Sequence, residues 1–175
     1  VIPHRDDKSR CVWGRHAELD SNRLIFPFSS WKDEQVELVK DIVYYEVDGM
    51  RLKLDIRRSR DLTKEPDSPV LFQIHGGAWT YGYGSKKEQG IPLMVEMAKR
   101  GWVCVAIDYR LSPKATFPEH IIDCKRELVW VKEHISEYGG SQKFIVATGG
   151  SAGGHLSSLL ALSSNAPELQ PDFED

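Results

Sequence analysis

Apolar and polar residues alternate in two different ways along the chain. From Asp41 to Glu46 and from Arg51 to Arg57 they alternate in part, with Asp48-Gly49 between the two runs. That pairing of half-apolar segments around a strong turn signal predicts two antiparallel strands. From Val70 onward the pattern changes. Val70–Ile74, Trp102–Ile107 and Lys143–Ala147 are short runs apolar on both faces, as strands buried in a parallel sheet require. Between them lie segments of helical period. Ile91–Lys99 carries Leu93, Met94 and Met97 on one side and is closed by Gly101. After Pro118, the residues Ile121, Cys124, Leu128, Val131 and Ile135 form one stripe expected to face the sheet, with Lys125, Arg126, Lys132 and Glu133 opposite. Gly139-Gly140 should end that helix, and Ala152–Leu162 should form another.

Alternating strands and helices imply an α/β fold with helices on both faces of the sheet. Residues 1–40 have no clean period. Their aromatics, Trp13, Phe26, Phe28 and Trp31, are scattered among charges, so an irregular, cap-like segment is expected, with a short helix over Trp31–Lys40. The expected organisation is this segment at 1–40 followed by part of one α/β domain at 41–175. Leu62–Pro69, charged and proline-punctuated, reads as a loop.

Composition narrows the function classes. A net charge of −3 with mixed signs gives no basic stripe for nucleic acid. No apolar run approaches the ~20 residues of a membrane span, and the first residues do not resemble a signal peptide. A cytoplasmic location is therefore expected. Cys11, Cys104 and Cys124 are odd in number and lack paired spacing, so neither a disulfide framework nor a metal site is expected. Cys104 and Cys124 read as small buried hydrophobes. His120 and His134 lie off the apolar stripe and read as solvated.

The chemistry-bearing stretch is Phe144-Ile-Val-Ala-Thr-Gly149-Gly150-Ser151-Ala152-Gly153-Gly154. Gly149, Ser151 and Gly153 satisfy G-x-S-x-G, a strand-to-helix elbow that raises a serine oxygen above the sheet. Side chains at the flanking glycine positions would collide with the neighbouring strand or helix. The amide of Ala152, at the start of the helix, is unpaired and points toward developing negative charge. A second motif, His75-Gly76-Gly77-Ala78-Trp79, follows a strand whose end shares the sheet edge with the elbow, so its amides can converge with that of Ala152. Trp79 and Tyr81, with Tyr83 beyond them, are candidates to line a substrate pocket.

With Asp108-Tyr-Arg-Leu-Ser-Pro113 between them, these motifs give the chain a close resemblance to the α/β-hydrolases of the hormone-sensitive-lipase-like esterase group, from about residue 40 to residue 163. The resemblance implies an α/β-hydrolase fold, here incomplete, with strands one to five and flanking helices present. It implies Ser151 as nucleophile, an oxyanion hole from Gly77, Ala78 and Ala152, and structural support from His75, Gly76, Gly149 and Gly153. It also implies no cofactor and a small-molecule ester as substrate, cleaved through an acyl-enzyme intermediate. H-G-G-x-W also occurs in kynurenine formamidase-like members, so amide hydrolysis stays open. Gibberellin receptors resemble the same group without a working histidine, which leaves a non-catalytic binding protein or a truncated pseudoenzyme as further readings.

In this fold the triad runs in the order nucleophile, acid, histidine. After Ser151 only His155 is available, one helical turn on, with its ring directed along the helix. Asp108 and Asp123 are wrongly placed for the triad acid. The acid and histidine are therefore expected beyond Asp175, and these 175 residues alone are expected to be inactive. The fifth strand would then be an open apolar edge.

Overall fold

In the computed structural model, residues 33–61, 67–82 and 84–170 are described. Cys11, Tyr83 and residues 1–32 of the expected cap-like segment lie outside them. Five strands form one sheet: β1 (Val36–Val47), β2 (Met50–Ser59), β3 (Ser68–Ile74), β4 (Val103–Ile107) and β5 (Gly140–Gly149). Their spatial order is β1-β2-β4-β3-β5. β1 and β2 pair antiparallel around Asp48 and Gly49, which have φ of 50° and 71°. β2 is antiparallel to β4, whereas β3 is parallel to both β4 and β5.

Among the described residues, three α-helices cover the sheet: α1 (Ile91–Lys99), α2 (Glu119–His134) and α3 (Ala152–Leu162). Two apolar clusters separate its faces. One joins Leu54, Ile56, Val70, Phe72, Val105 and Ile107 to Ile121, Cys124, Val131, Ile135 and Leu156 of the α2/α3 layer. The other packs Met94, Val95 and Ala98 of α1 on Leu71, Cys104 and Ala106. Side chains alternate between the faces along each strand, so β3 and β4 have to be apolar on both. All five residues of β4 are buried. Cys104 and Cys124 are free, buried thiols, as expected.

Four local expectations need correction. Residues 36–40 belong to β1, not to a helix, because Val36 is held by β2 opposite Ser59 and packs against α1. Leu93 is 45% exposed, and the inward face of α1 is instead Met94, Val95 and Ala98. Lys125 is buried: its ammonium donates to the Ser163 carbonyl and, at 3.2 Å, to Gln170 Oε1. The chain after α3 folds back over α2, which a helical wheel for α2 alone cannot register. His120 is also buried, at 5% exposure, with its ring edge-on to Tyr109. Lys132 and Glu133 are exposed as expected.

Candidate active site

β5 ends at Gly149 and α3 begins at Ala152, so Ser151 occupies the corner between them. Its backbone lies at φ 54°, ψ −121°, outside the left-handed helical well that non-glycine residues occasionally visit. Such a conformation costs on the order of 1–3 kcal/mol and persists only where its surroundings enforce it. The surroundings here are close backbones. A Cβ on Gly153 would overlap the Ile74 carbonyl oxygen, and one on Gly149 would lie 2.5 Å from that same oxygen. Gly150 has nothing within 4 Å of its Cβ position, so a side chain there would meet open space. The first turn of α3 is closed by Gly153 N–H donating to Gly150 O and His155 N–H to Ser151 O, at 2.9 and 3.0 Å. No hydrogen bond among the described residues takes up the Ala152 amide.

The His75–Trp79 loop leaves β3 beside this corner, because Ile74 and Gly149 are register partners in the parallel pair. The approach is tight enough that a Cβ on Gly76 would sit 2.5 Å from the Gly150 oxygen. Gly77, Ala78 and Trp79 all have positive φ, at 115°, 53° and 57°. Three such residues in succession turn the chain back on itself. Beyond the turn, Thr80 N–H donates to Gly77 O at 3.0 Å, and Ser112 N–H donates to Trp79 O at 2.8 Å. The amides of Gly77 and Ala78 have no acceptor among the described residues. Unused donors from this loop and from α3 therefore flank one corner of the sheet edge, an arrangement able to receive an oxyanion.

The loop is fixed from behind by residues the motifs did not single out. Gly76 N–H donates to Gln89 Oε1 at 2.7 Å. His75 is 2% exposed, and its Nδ1 lies 2.7 Å from Gly76 O; a carbonyl only accepts, so Nδ1 carries the proton. Burial lowers the His75 pKa, which keeps the ring neutral. Under the neighbouring strand end, the buried Lys86 ammonium lies 2.7 Å from Asp55, 3.3 Å from Asp41 and 3.7 Å from Asp108. Of this group the sequence signalled only Asp108, through its place in the D-Y-R motif. Lys86, Asp55 and Gln89 are far apart in sequence and carry no motif.

The comparisons with known proteins fall on this same region. The BD-FAE family model matches residues 54–175, more than half of the chain. The chain belongs to the BD-FAE family. It is a hormone-sensitive-lipase-like α/β-hydrolase sequence, as its motifs implied. It is 59% identical over 135 residues to the probable carboxylic ester hydrolase LipM of Mycobacterium tuberculosis, and 51% identical over 130 residues to esterase LipQ of the same organism. These alignments cover 77% and 74% of this chain but 31% and 30% of the relatives, so the chain spans about a third of their length. Among solved structures, Thermogutta terrifontis esterase 2 superposes with a TM-score of 0.67 at 33% identity, over 81% of this chain and 50% of its own. That esterase has also been solved with butyrate bound and phosphonylated by cyclosarin.

In this BD-FAE chain no hydrogen bond among the described residues links the Ser151 hydroxyl to a histidine ring. The His155 ring meets Trp79 edge-on, with centroids 5.3 Å apart and planes at 90°. His134 is engaged with Glu137 at 3.0 Å on the far end of α2. Asp123 is fully buried and clamped by Arg110, through Nε at 2.8 Å, Nη2 at 2.9 Å and the backbone amide at 3.0 Å. Asp108 is occupied with Lys86. Two hollows flank the loop. The larger, about 880 Å³, lies beside Met50, Tyr81, Asp108 and Lys114 and does not reach Ser151. The smaller, about 280 Å³, lies against Ala78, Trp79 and His155. Trp79 and Tyr81 thus line different hollows.

Proposed function

We propose that this chain supplies the nucleophile and oxyanion hole of a serine carboxylesterase. Ser151 Oγ attacks the ester carbonyl and gives its proton to a general base. The tetrahedral oxyanion is held by the amides of Gly77, Ala78 and Ala152. Collapse expels the alcohol and leaves an acyl-Ser151 ester, which water then cleaves. The single observation that carries this reading is the Ser151 backbone, at φ 54° and ψ −121° on a strand-to-helix corner beside unused loop amides. Each donor to the oxyanion is worth about 3–4 kcal/mol in a working acyl-transfer enzyme.

The naming of the relatives as carboxylic ester hydrolases supports an ester substrate. The phosphonylated and butyrate-bound forms of the Thermogutta esterase support a reactive nucleophile and a short acyl group. Gly76, Gly149 and Gly153 act as backbone spacers and His75 as the support of the loop. The general base and its acid come from sequence outside these 175 residues.

A side-by-side assay with a short-chain aryl ester and a fluorophosphonate label tests this. The natural full-length protein should turn over and label. Ser151→Ala should lose both, with turnover falling by about a million-fold. His155→Ala should retain a measurable fraction of each, and the isolated 175-residue chain should barely react. Absence of labelling in folded full-length protein would overturn the catalytic reading; strong labelling of the isolated chain would put the base within it.

A further inference from the structure

We propose that Gln89 is a positioning residue for ester cleavage: its side-chain oxygen locks the His75–Gly76 peptide, and that lock sets the direction of the Gly77 amide. This role rests on the reading of Ser151 and the oxyanion amides given above. Gln89 lies just before α1, 13 residues after Gly76, and accepts the Gly76 N–H on its Oε1 at 2.7 Å.

Both peptides of the turn are trans, since the cis bonds among the described residues fall at Ser112–Pro113 and Phe117–Pro118. In a trans peptide the carbonyl and the N–H that follows it point in opposite directions. The His75–Gly76 peptide is bonded at both ends: its carbonyl accepts from the Tyr109 hydroxyl at 3.0 Å, and its N–H donates to Gln89. The Gly76–Gly77 peptide is bonded at one end. Its carbonyl accepts from His75 Nδ1 at 2.7 Å, so the Gly77 N–H is turned the other way, where no described residue accepts it. Two successive glycines restrain their own backbone least, so the restraint has to come from neighbours. A peptide held at one end pivots about that bond; held at both, it does not. Gln89 therefore turns the first plane into a fixed base for the second, which carries the donor.

Gln89 is itself held on both sides. At Gly90 the backbone presses on β3, where a Cβ would lie 2.5 Å from Cδ of Gln73, a residue only 4% exposed. Three residues before Gln89, the buried Lys86 is tied to Asp55 of β2 at 2.7 Å. Gly84 packs so closely on Gly76 that a Cβ there would overlap the Gly76 carbonyl oxygen. The segment 84–90 thus meets Gly76 at its N–H and at its C=O. Water would satisfy the Gly76 N–H as well, but it would follow the amide wherever it turned. A side chain anchored to β2 and β3 fixes one direction, to within the about 10–20° that a productive site tolerates.

The test uses the natural full-length protein with Gln89→Met, which keeps the side-chain length and deletes the acceptor, and Gln89→Glu, which keeps an oxygen in place. Gln89→Met should lower kcat for a short-chain aryl ester by about tenfold to a hundredfold, with KM within about twofold of wild type. The inhibition constant of an aryl trifluoromethyl ketone, whose adduct with Ser151 carries the same oxyanion, should weaken by the same factor as kcat/KM. A variant that merely folds less well would lose kcat and keep that constant. Gln89→Glu should recover most of both. An unchanged kcat in Gln89→Met, a fall in kcat with an unchanged inhibition constant, or no recovery in Gln89→Glu overturns the proposal. Hydrogen exchange read in the Ser151→Ala background, where no turnover enters, separates this from failure of the catalytic reading. There the Gly76 amide should exchange at least about tenfold faster once Gln89→Met is added. An equal rate overturns the proposal whether or not any ester is cleaved, and a faster one upholds the lock even in a protein that cleaves none.

Discussion

Tyr109 grips His75 at two points: the rings stack with centroids 4.5 Å apart, and the Tyr109 hydroxyl donates to the His75 carbonyl at 3.0 Å. The contact joins the ends of β4 and β3 just before the Gly76-Gly77 turn. Burial pushes the Tyr109 phenol far above its ordinary value, so it stays a donor across the working pH range. Tyr109→Phe keeps the stack and deletes the hydrogen bond. It should cost about 1 kcal/mol of stability and lower kcat more than it raises KM. Thermal unfolding and steady-state kinetics measure both, and an unchanged kcat would mean that stacking alone positions the loop.

Two neighbouring glycines should respond in opposite ways. Gly153→Ala drives a methyl group into the Ile74 carbonyl, and neither backbone can yield without parting α3 from β3. Loss of several kcal/mol, or of activity with retained fold, is expected. Gly150→Ala meets nothing within 4 Å and should change stability by less than about 0.5 kcal/mol. Denaturant titration of the two variants compares them directly.

Lys86 is buried against Asp55, itself only 2% exposed. Burial alone would lower the lysine pKa, but the hydrogen bond to Asp55 and the charge of Asp108 outweigh it, and the net shift is upward from 10.5. The folded state thus holds this proton more tightly than the unfolded chain. The contribution is complete below about pH 10.5 and is lost as pH rises through the folded value. Lys86→Met leaves Asp55 without its counter-ion and should cost about 3–5 kcal/mol at neutral pH. Calorimetry of the variant, and of wild type at rising alkaline pH, checks both.

Glu127 is fully buried, and neither carboxylate oxygen has a hydrogen-bond partner among the described residues. Burial, with the nearby charge of Asp108, raises its pKa well above 4.5. Its folded pKa exceeds the unfolded one, so its contribution to stability is full below about pH 4.5 and declines as pH rises through the folded value. Glu127→Gln removes that decline. The variant should match wild type near pH 4.5 and exceed it at neutral pH, and melting temperatures across this range measure the difference.

The strands, α2, α3 and both motif loops were legible in the sequence because each carries its own period or glycine signature. The corner at Ser151 follows from local pattern alone. What local pattern could not supply was the burial of charge. Lys125 and His120 sit on the nominal polar side of α2, and only the return of the chain after α3 and the course of the Trp79 loop enclose them. Glu127 and Lys86 were invisible for the same reason, since a charged residue in a polar context reads as solvated until another layer covers it. The strand at Val36–Lys40 was missed because its polar and apolar residues fit either period, and pairing with β2 decided between them.

β3 lies between β4 and β5, although both are made later in the chain. Val70 pairs with Val103 on one side and with Ile145 on the other. The site corner therefore depends on two long loop closures, the second enclosing the first, and such distant contacts form slowly because chain entropy is lost before they reward it. While a ribosome is still making β5, β3 can dock on β4 but has no partner on its other side. Ser151 should thus be among the last residues to acquire its geometry, with its strained backbone imposed by a sheet already half built.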